Sequence, residues 1–223
     1  MKIMTIVGTR PEIIKLSRTI YELDRSFNNI LVNTNQNFSY ELGQIFFKDL
    51  GIRKPNYNLK VDDKVNFSTI AKTINECGKL MMKEKPELVV ILGDTNSSYA
   101  AISAKKLKIP IFHLEAGNRC FDQDVPEEIN RRIIDHTSEI NLVYTEHARQ
   151  NLIREGIHPQ TIIKTGSPMK EVIDFYRAKI DKSKILDKLN IKRDNYTIVS
   201  IHRNENLDIK NNQDGIMRKY RNI

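Results

Sequence analysis

Only two cysteines, Cys77 and Cys120, occur in the 223 residues. Their separation fits neither metal-ligand spacing nor a disulfide scaffold, so a reducing, cytoplasmic setting is the simpler reading and each is taken as a buried or incidental thiol. No apolar run approaches the roughly 20 residues that a bilayer-spanning helix needs. The apolar stretch Ile3 to Val7 ends at Gly8-Thr9-Arg10-Pro11 and reads as a buried strand, not a signal peptide, so no membrane association is expected. There is no Gly-x-Gly-x-x-Gly fingerprint and no Walker lysine motif, which argues against a nicotinamide cofactor or ATP. The sequence shows no internal repeat, no low-complexity segment and no basic stripe interleaved with aromatics, so nucleic acid is not an expected partner.

What is present is an excess of base, 36 Lys and Arg against 28 Asp and Glu, giving a formal charge of +8. A positive field draws nucleic acid, a membrane surface or an anionic small substrate alike, and charge alone does not choose among them. The basic residues are scattered, as on solvated helix faces. Hydrophobic residues make up 39% of the chain, enough to bury a full core.

Apolar runs of strand length recur at Ile3–Val7, Ile30–Asn33, Leu88–Leu92, Ile111–Leu114, Leu142–Tyr144, Ile162–Thr165 and Thr197–Ile201, with helical-period segments between them. Runs of continuous Val, Ile and Leu belong to strands buried on both faces, so a doubly wound parallel sheet of Rossmann-like α/β type is predicted. Helices are expected from Pro11 to Asp24, Thr95 to Lys106, Pro126 to His136, Glu146 to Glu155 and Met169 to Lys179. The organisation expected is a first domain over 1–178, a charged helical linker over 179–195, and the incomplete start of a second domain over 196–223.

Ligands of such sheets bind at the carboxyl ends of strands, and the polar clusters fall there. Gly8-Thr9-Arg10-Pro11-Glu12 places backbone N–H groups and a guanidinium at a helix amino terminus, an anion-binding corner; a tight turn with a surface arginine is an equally plain reading. Gly93-Asp94-Thr95-Asn96, His113 to Arg119, Pro126 to Arg132 and Ser200 to Asn206 complete the set. Each has a bland reading taken singly: Asp94 as a helix cap, Glu115 as an arginine's partner, Glu127 as a first-turn dipole carboxylate, His202 as a core histidine. Converging on one sheet edge, they suit proton abstraction beside a polarised centre.

In order and spacing, Met4-Thr-Ile-Val-Gly-Thr-Arg-Pro-Glu, Leu92-Gly-Asp-Thr, Glu115-Ala-Gly-Asn-Arg, Pro126-Glu-Glu-Ile-Asn-Arg, Thr165-Gly-Ser-Pro and Ser200-Ile-His-Arg-Asn-Glu-Asn resemble the non-hydrolysing UDP-N-acetylglucosamine 2-epimerases. The likeness runs from Met1 to about Leu207, a little over half of a family member, so a C-terminally truncated chain with impaired activity is expected. Phe112 to Asp122 and Gly166-Ser-Pro-Met resemble most the branch that forms UDP-N-acetyl-L-fucosamine, and Asn33-Thr-Asn-Gln-Asn-Phe departs from the UDP-N-acetylglucosamine-specific branch. The resemblance implies the N-terminal half of a GT-B-like two-domain fold, a UDP-sugar substrate, no metal or cofactor, and a homodimer. It implies epimerisation at C2 by elimination of UDP and re-addition. Asp94, Glu115 and Glu127 match its catalytic carboxylates, His202 its second-domain histidine, and Arg10, Lys15 and Arg131 its substrate-binding cations. A GT-B glycosyltransferase and a catalytically dead binding module are the competing readings.

Overall fold

The computed structural model describes residues 1–35, 44–61 and 65–198. Seven parallel strands form one sheet in the order β3-β2-β1-β4-β5-β6-β7, namely β1 (Lys2–Val7), β2 (Asn28–Asn33), β3 (Tyr57–Asn58), β4 (Leu88–Leu92), β5 (Ile111–Ala116), β6 (Ile140–Val143) and β7 (Ile162–Lys164). The doubly wound α/β sheet expected from the sequence is therefore the fold observed. The helices are α1 (Arg10–Ser26), α2 (Gln44–Asp49), α3 (Asn66–Glu84), α4 (Ala100–Lys106), α5 (Pro126–Thr137), α6 (Glu146–Arg154), α7 (Met169–Asp181) and α8 (Ile185–Leu189). The chain divides into two units, Met1–Arg177 and Ala178–Ile223.

Alternation along β1 shows why the runs are apolar throughout. Met4 and Ile6 pack on one face with Cys77, Met81, Ala104 and Ile134, whereas Val7 turns to the other face and meets Ile13, Leu16 and Ile20 of α1. A strand covered on both faces must be apolar at every position. Beyond β5 a third cluster forms, with Ala116, Val143, Ala148, Leu152 and Ile162 seating α6 against the sheet. No helix among the described residues is long and apolar enough to cross a membrane.

Several elements differ from the sequence expectation. The helix expected from Thr95 starts instead as a 3-10 turn over Asn96–Tyr99, with the Thr95 hydroxyl accepting from Ser97 N, before α4 begins at Ala100. The 19-residue α3 is not placed by the sequence reading, because its inward stripe of Thr69, Thr73, Cys77, Leu80 and Met81 mixes threonine with apolar residues and dilutes the periodic signal. Of the strand expected at Thr197–Ile201, Thr197 and Ile198 pair with no strand, and 199–201 lie outside the described residues.

After β5, Gly117 takes φ +76, and a Cβ there would lie 2.4 Å from the Ala148 backbone oxygen. Both the left-handed backbone and the overlap penalise a side chain. Gly117→Ala is expected to lower stability by about 2–4 kcal/mol. A chemical-denaturation midpoint equal to that of the parent would count against this packing.

Candidate active site

The strand order reverses direction between β1 and β4, and ligands of open α/β sheets bind beyond the strand carboxyl ends at such a point. At the tip of β1, Gly8 turns the chain into α1 beneath two hydroxyls. A Cβ on Gly8 would sit 2.0 Å from both Ser97 Oγ and Thr34 Oγ1, which are bonded to each other at 2.8 Å. The amides of Gly8 and Thr9 donate to Glu12 Oε2 at 2.5 and 3.1 Å, and the Thr95 hydroxyl donates to Glu12 Oε1. This corrects the anion-binding corner: the Gly8 and Thr9 N–H groups are taken by the helix's own carboxylate. Burial pushes the Glu12 carboxyl up to about 7, despite the opposing pull of Thr95 and the two amides. Arg10 is exposed in the first turn of α1 and forms no ion pair among the described residues.

Asp94 follows β4, and Glu115 lies in the neighbouring β5. Glu115 adopts φ +66 where the pairing of β5 with β6 slips between Leu114 and Ala116. A non-glycine residue in the left-handed region costs on the order of 1 kcal/mol or more, and bulges of this kind re-aim side chains next to functional sites. Here the bulged residue's carboxylate meets cations from two helices. Lys15 Nζ of α1 lies 2.5 Å from Glu115 Oε2. Arg131 of α5 donates through Nη1 to the Glu115 carbonyl and through Nη2 to Asp94 Oδ2, with Nη2 3.6 Å from Glu115 Oε1. One guanidinium thus joins two carboxylates on adjacent strands.

The inward face of α5 is polar, carrying Glu128, Asn130, Arg131 and Asp135 with Ile134, while Ile129 and Ile133 face outward. Asn130 Nδ2 donates to the Asp94 carbonyl at 2.8 Å, and Tyr99 donates to Asn130 Oδ1 at 2.7 Å. The Tyr144 hydroxyl lies 3.4 Å from Glu115 Oε2. Burial first, then the charge of Glu115, raises the Tyr144 pKa and keeps the phenol protonated. Asp94 is raised chiefly by burial, with Arg131 opposing and Glu115 and Glu127 adding like charge. Glu127 itself is exposed in the first turn of α5.

The structure therefore brings together Asp94, Glu115, Lys15 and Arg131, leaves Glu127 and Arg10 exposed, and leaves His202 outside the described residues. Glu12 and Asn130 lie inside motifs that the sequence singles out but receive no role there, and Tyr99 and Tyr144 are passed over. Tyr144 closes the apolar run read as a strand, so the strand-tip rule already points to it; Tyr99 carries no comparable signal. Among the described residues no group of three His, Cys, Asp or Glu side chains is arranged to hold a metal ion.

A doubly wound parallel sheet with paired carboxylates and cations at its strand tips defines a Rossmann-type α/β domain with a charged cluster beyond β4 and β5. The chain belongs to the UDP-N-acetylglucosamine 2-epimerase family, whose sequence profile matches residues 21–223. It is 42% identical over 223 residues to a UDP-N-acetylglucosamine 2-epimerase homolog of Methanococcus maripaludis, covering 99% of this chain and 62% of that protein. The solved UDP-N-acetylglucosamine 2-epimerase from Rickettsia bellii is similar with a TM-score of 0.89 and 51% identity, over 99% of this chain and 60% of its own. The Methanocaldococcus jannaschii UDP-GlcNAc 2-epimerase in complex with UDP-GlcNAc and UDP matches with a TM-score of 0.91 and 38% identity, over 98% of this chain and 61% of its own. The chain thus spans about 60% of the length of these relatives.

Proposed function

We propose that this chain carries the acid–base half of an enzyme that inverts C2 of a UDP-N-acetylhexosamine. The observation that supports the reading best is the meeting of Asp94 and Glu115 at one arginine, with Lys15 on the far side of Glu115. In the proposed reaction a carboxylate removes the C2 proton while the C1–O bond breaks and its electron pair leaves with UDP, giving a 2-acetamidoglycal. UDP oxygen then adds back to C1 as a proton is returned to C2 from the opposite face. Two acid–base groups on opposite faces of the ring are required, and cations offset the charge of the departing diphosphate.

Burial raises the Asp94 carboxyl above its usual range, and Glu115 stands between Lys15 and Arg131 on the neighbouring strand. Exposed Arg10 is proposed to meet a phosphate of the substrate. His202 is proposed to act in the same reaction, and the working enzyme is proposed to be a cytoplasmic homodimer. The candidate sugars are the gluco-configured form and the 2-acetamido-2,6-dideoxy-L-talose form that yields N-acetyl-L-fucosamine, and the same assay separates the two.

The test is incubation with each UDP-sugar in heavy water, without acceptor. Deuterium at C2 of both epimers is the expected result. UDP released only when an acceptor is added, with no C2 exchange, would instead support a glycosyltransferase, and calorimetric binding without exchange a binding module.

A further inference from the structure

Beneath the acid–base cluster lie ionisable side chains that the proposed reaction does not use. His113 stands inside β5, and Asp135 on the inward face of α5. The His113 Nε2 faces the carbonyl of Gly93 at 2.8 Å, the residue immediately before Asp94. Its Nδ1 lies 2.9 Å from Asp135 Oδ1, an ion-pair distance off the line of a hydrogen bond. Asp135 accepts the N–H of Gly117, two residues beyond Glu115, at 3.3 and 3.2 Å through its two oxygens. Arg119 Nη1 approaches Asp135 Oδ2 at 2.8 Å, and the same guanidinium grips Glu155 at 2.7 and 2.6 Å.

The side chains of His113, Asp135 and Arg119 have 0% exposure. Charges so placed are unfavourable unless every one is paired. Burial works against the charge on Asp135, yet His113 and Arg119 outweigh it and hold the carboxyl below its usual range. With no exposure, these groups cannot touch a substrate. What they do touch is backbone, and it is the backbone that flanks both candidate acid–base carboxylates.

We propose that His113 and Asp135 are positioning residues, a buried strut that fixes the Gly93–Asp94 peptide of the β4 tip against the Ala116–Gly117 peptide of the β5 tip and so sets the spacing of Asp94 and Glu115 from below. The strut's catalytic consequence rests on the acid–base reading given above. Glu115 holds a left-handed backbone at a bulge, a conformation that persists only when its surroundings determine it. Asp135 supplies that determination through the Gly117 amide, and His113 ties the result to β4. A displacement of about 1 Å between reacting groups can cost about 100-fold in rate.

The test compares His113→Leu, which removes the donor to Gly93, with His113→Gln, whose amide can still donate there, and with Asp135→Asn. Two readouts are taken on the whole chain. In the C2 exchange assay, His113→Leu is expected to lower kcat by about 100-fold with KM changed less than about 2-fold, and His113→Gln to recover at least about 10-fold. Equal losses in the two His113 variants, or a loss shared equally between kcat and KM, would overturn the proposal. The second readout needs no substrate. Amide hydrogen exchange in His113→Leu or Asp135→Asn should speed up at both 93–95 and 115–118 while β1 and β2 keep their protection; a change confined to the mutated strand, or spread over the whole sheet, refutes the strut. If either variant fails to fold, His113→Gln is read by the same exchange measurement, where protection at both tips supports the strut and loss of it at both tips refutes the role of the Nε2 donor. A parent chain that shows no C2 exchange at all sinks the epimerase reading and leaves the amide measurement to judge the strut.

Discussion

Replacing Arg131 by leucine is expected to lower stability by about 3–5 kcal/mol and to abolish C2 exchange. The size follows from what remains after the guanidinium is removed. Asp94 loses the cation that opposes its burial, Glu115 keeps only Lys15, and the Glu115 carbonyl loses the donor that helps hold its bulge. Of the two carboxylates at neighbouring strand tips, Glu115 keeps Lys15 on its far side, whereas Asp94 keeps no ion pair among the described residues. The deficit belongs to the stranded charge more than to the lost contact. Arg131→Leu combined with Asp94→Asn should therefore regain part of the stability that Arg131→Leu loses, although neither protein is active. Arg131→Lys keeps a charge but not the two-armed fork, so it should retain more stability than leucine while still losing exchange. Urea denaturation of the four proteins decides the matter; a double variant no more stable than Arg131→Leu would mean that Asp94 and Arg131 are not energetically coupled.

The second large effect is a dependence of stability on pH that runs opposite to the usual acid denaturation. Glu12 has a folded pKa of about 7 against an ordinary 4.5. Between those values the folded chain binds a proton at Glu12 that the unfolded chain has released. Its favourable contribution is complete below about pH 4.5 and is lost as pH rises through about 7, a difference of about 3 kcal/mol. Glu12→Gln presents a carbonyl to the Gly8 and Thr9 amides and an amide to Thr95, imitating the protonated acid. It should match the parent near pH 4.5, exceed it by up to about 3 kcal/mol at pH 8, and remove this part of the slope. Taking the difference between the two proteins at each pH cancels the other titrating groups, including Asp94, which is raised as well, and Asp135, which is lowered. A difference that stays constant from pH 4.5 to 8 would contradict the burial of an ionisable Glu12.

Much of the fold was legible because its strongest signals are local. Continuous apolar runs mark β1, β2, β4 and β5 since each is covered on both faces. Pro11 and Pro126 mark the first turns of α1 and α5. The weakest signals failed for equally physical reasons. The two-residue β3 is too short to show a period, and the inward stripe of α3 carries threonines. At α5 the ordinary pattern is inverted, with Ile129 and Ile133 outward and Asn130, Arg131 and Asp135 inward, so periodicity alone assigns the wrong face to the helix that carries the site.

The sequence by itself determined the parallel α/β class, the strand tips at which chemistry was to be sought, and the candidate residues Asp94, Glu115, Lys15 and Arg131, because strand burial and motif order are written along the chain. Tertiary structure decided which of those residues meet. It assigned the Gly8 and Thr9 amides to Glu12, joined Asp94 and Glu115 through one guanidinium, and placed His113 and Asp135 beneath both. The reason is that ion pairs and buried hydrogen bonds act over a few ångströms of space, and residues 37 apart in the chain, such as Asp94 and Arg131, come within that range only after the sheet has formed.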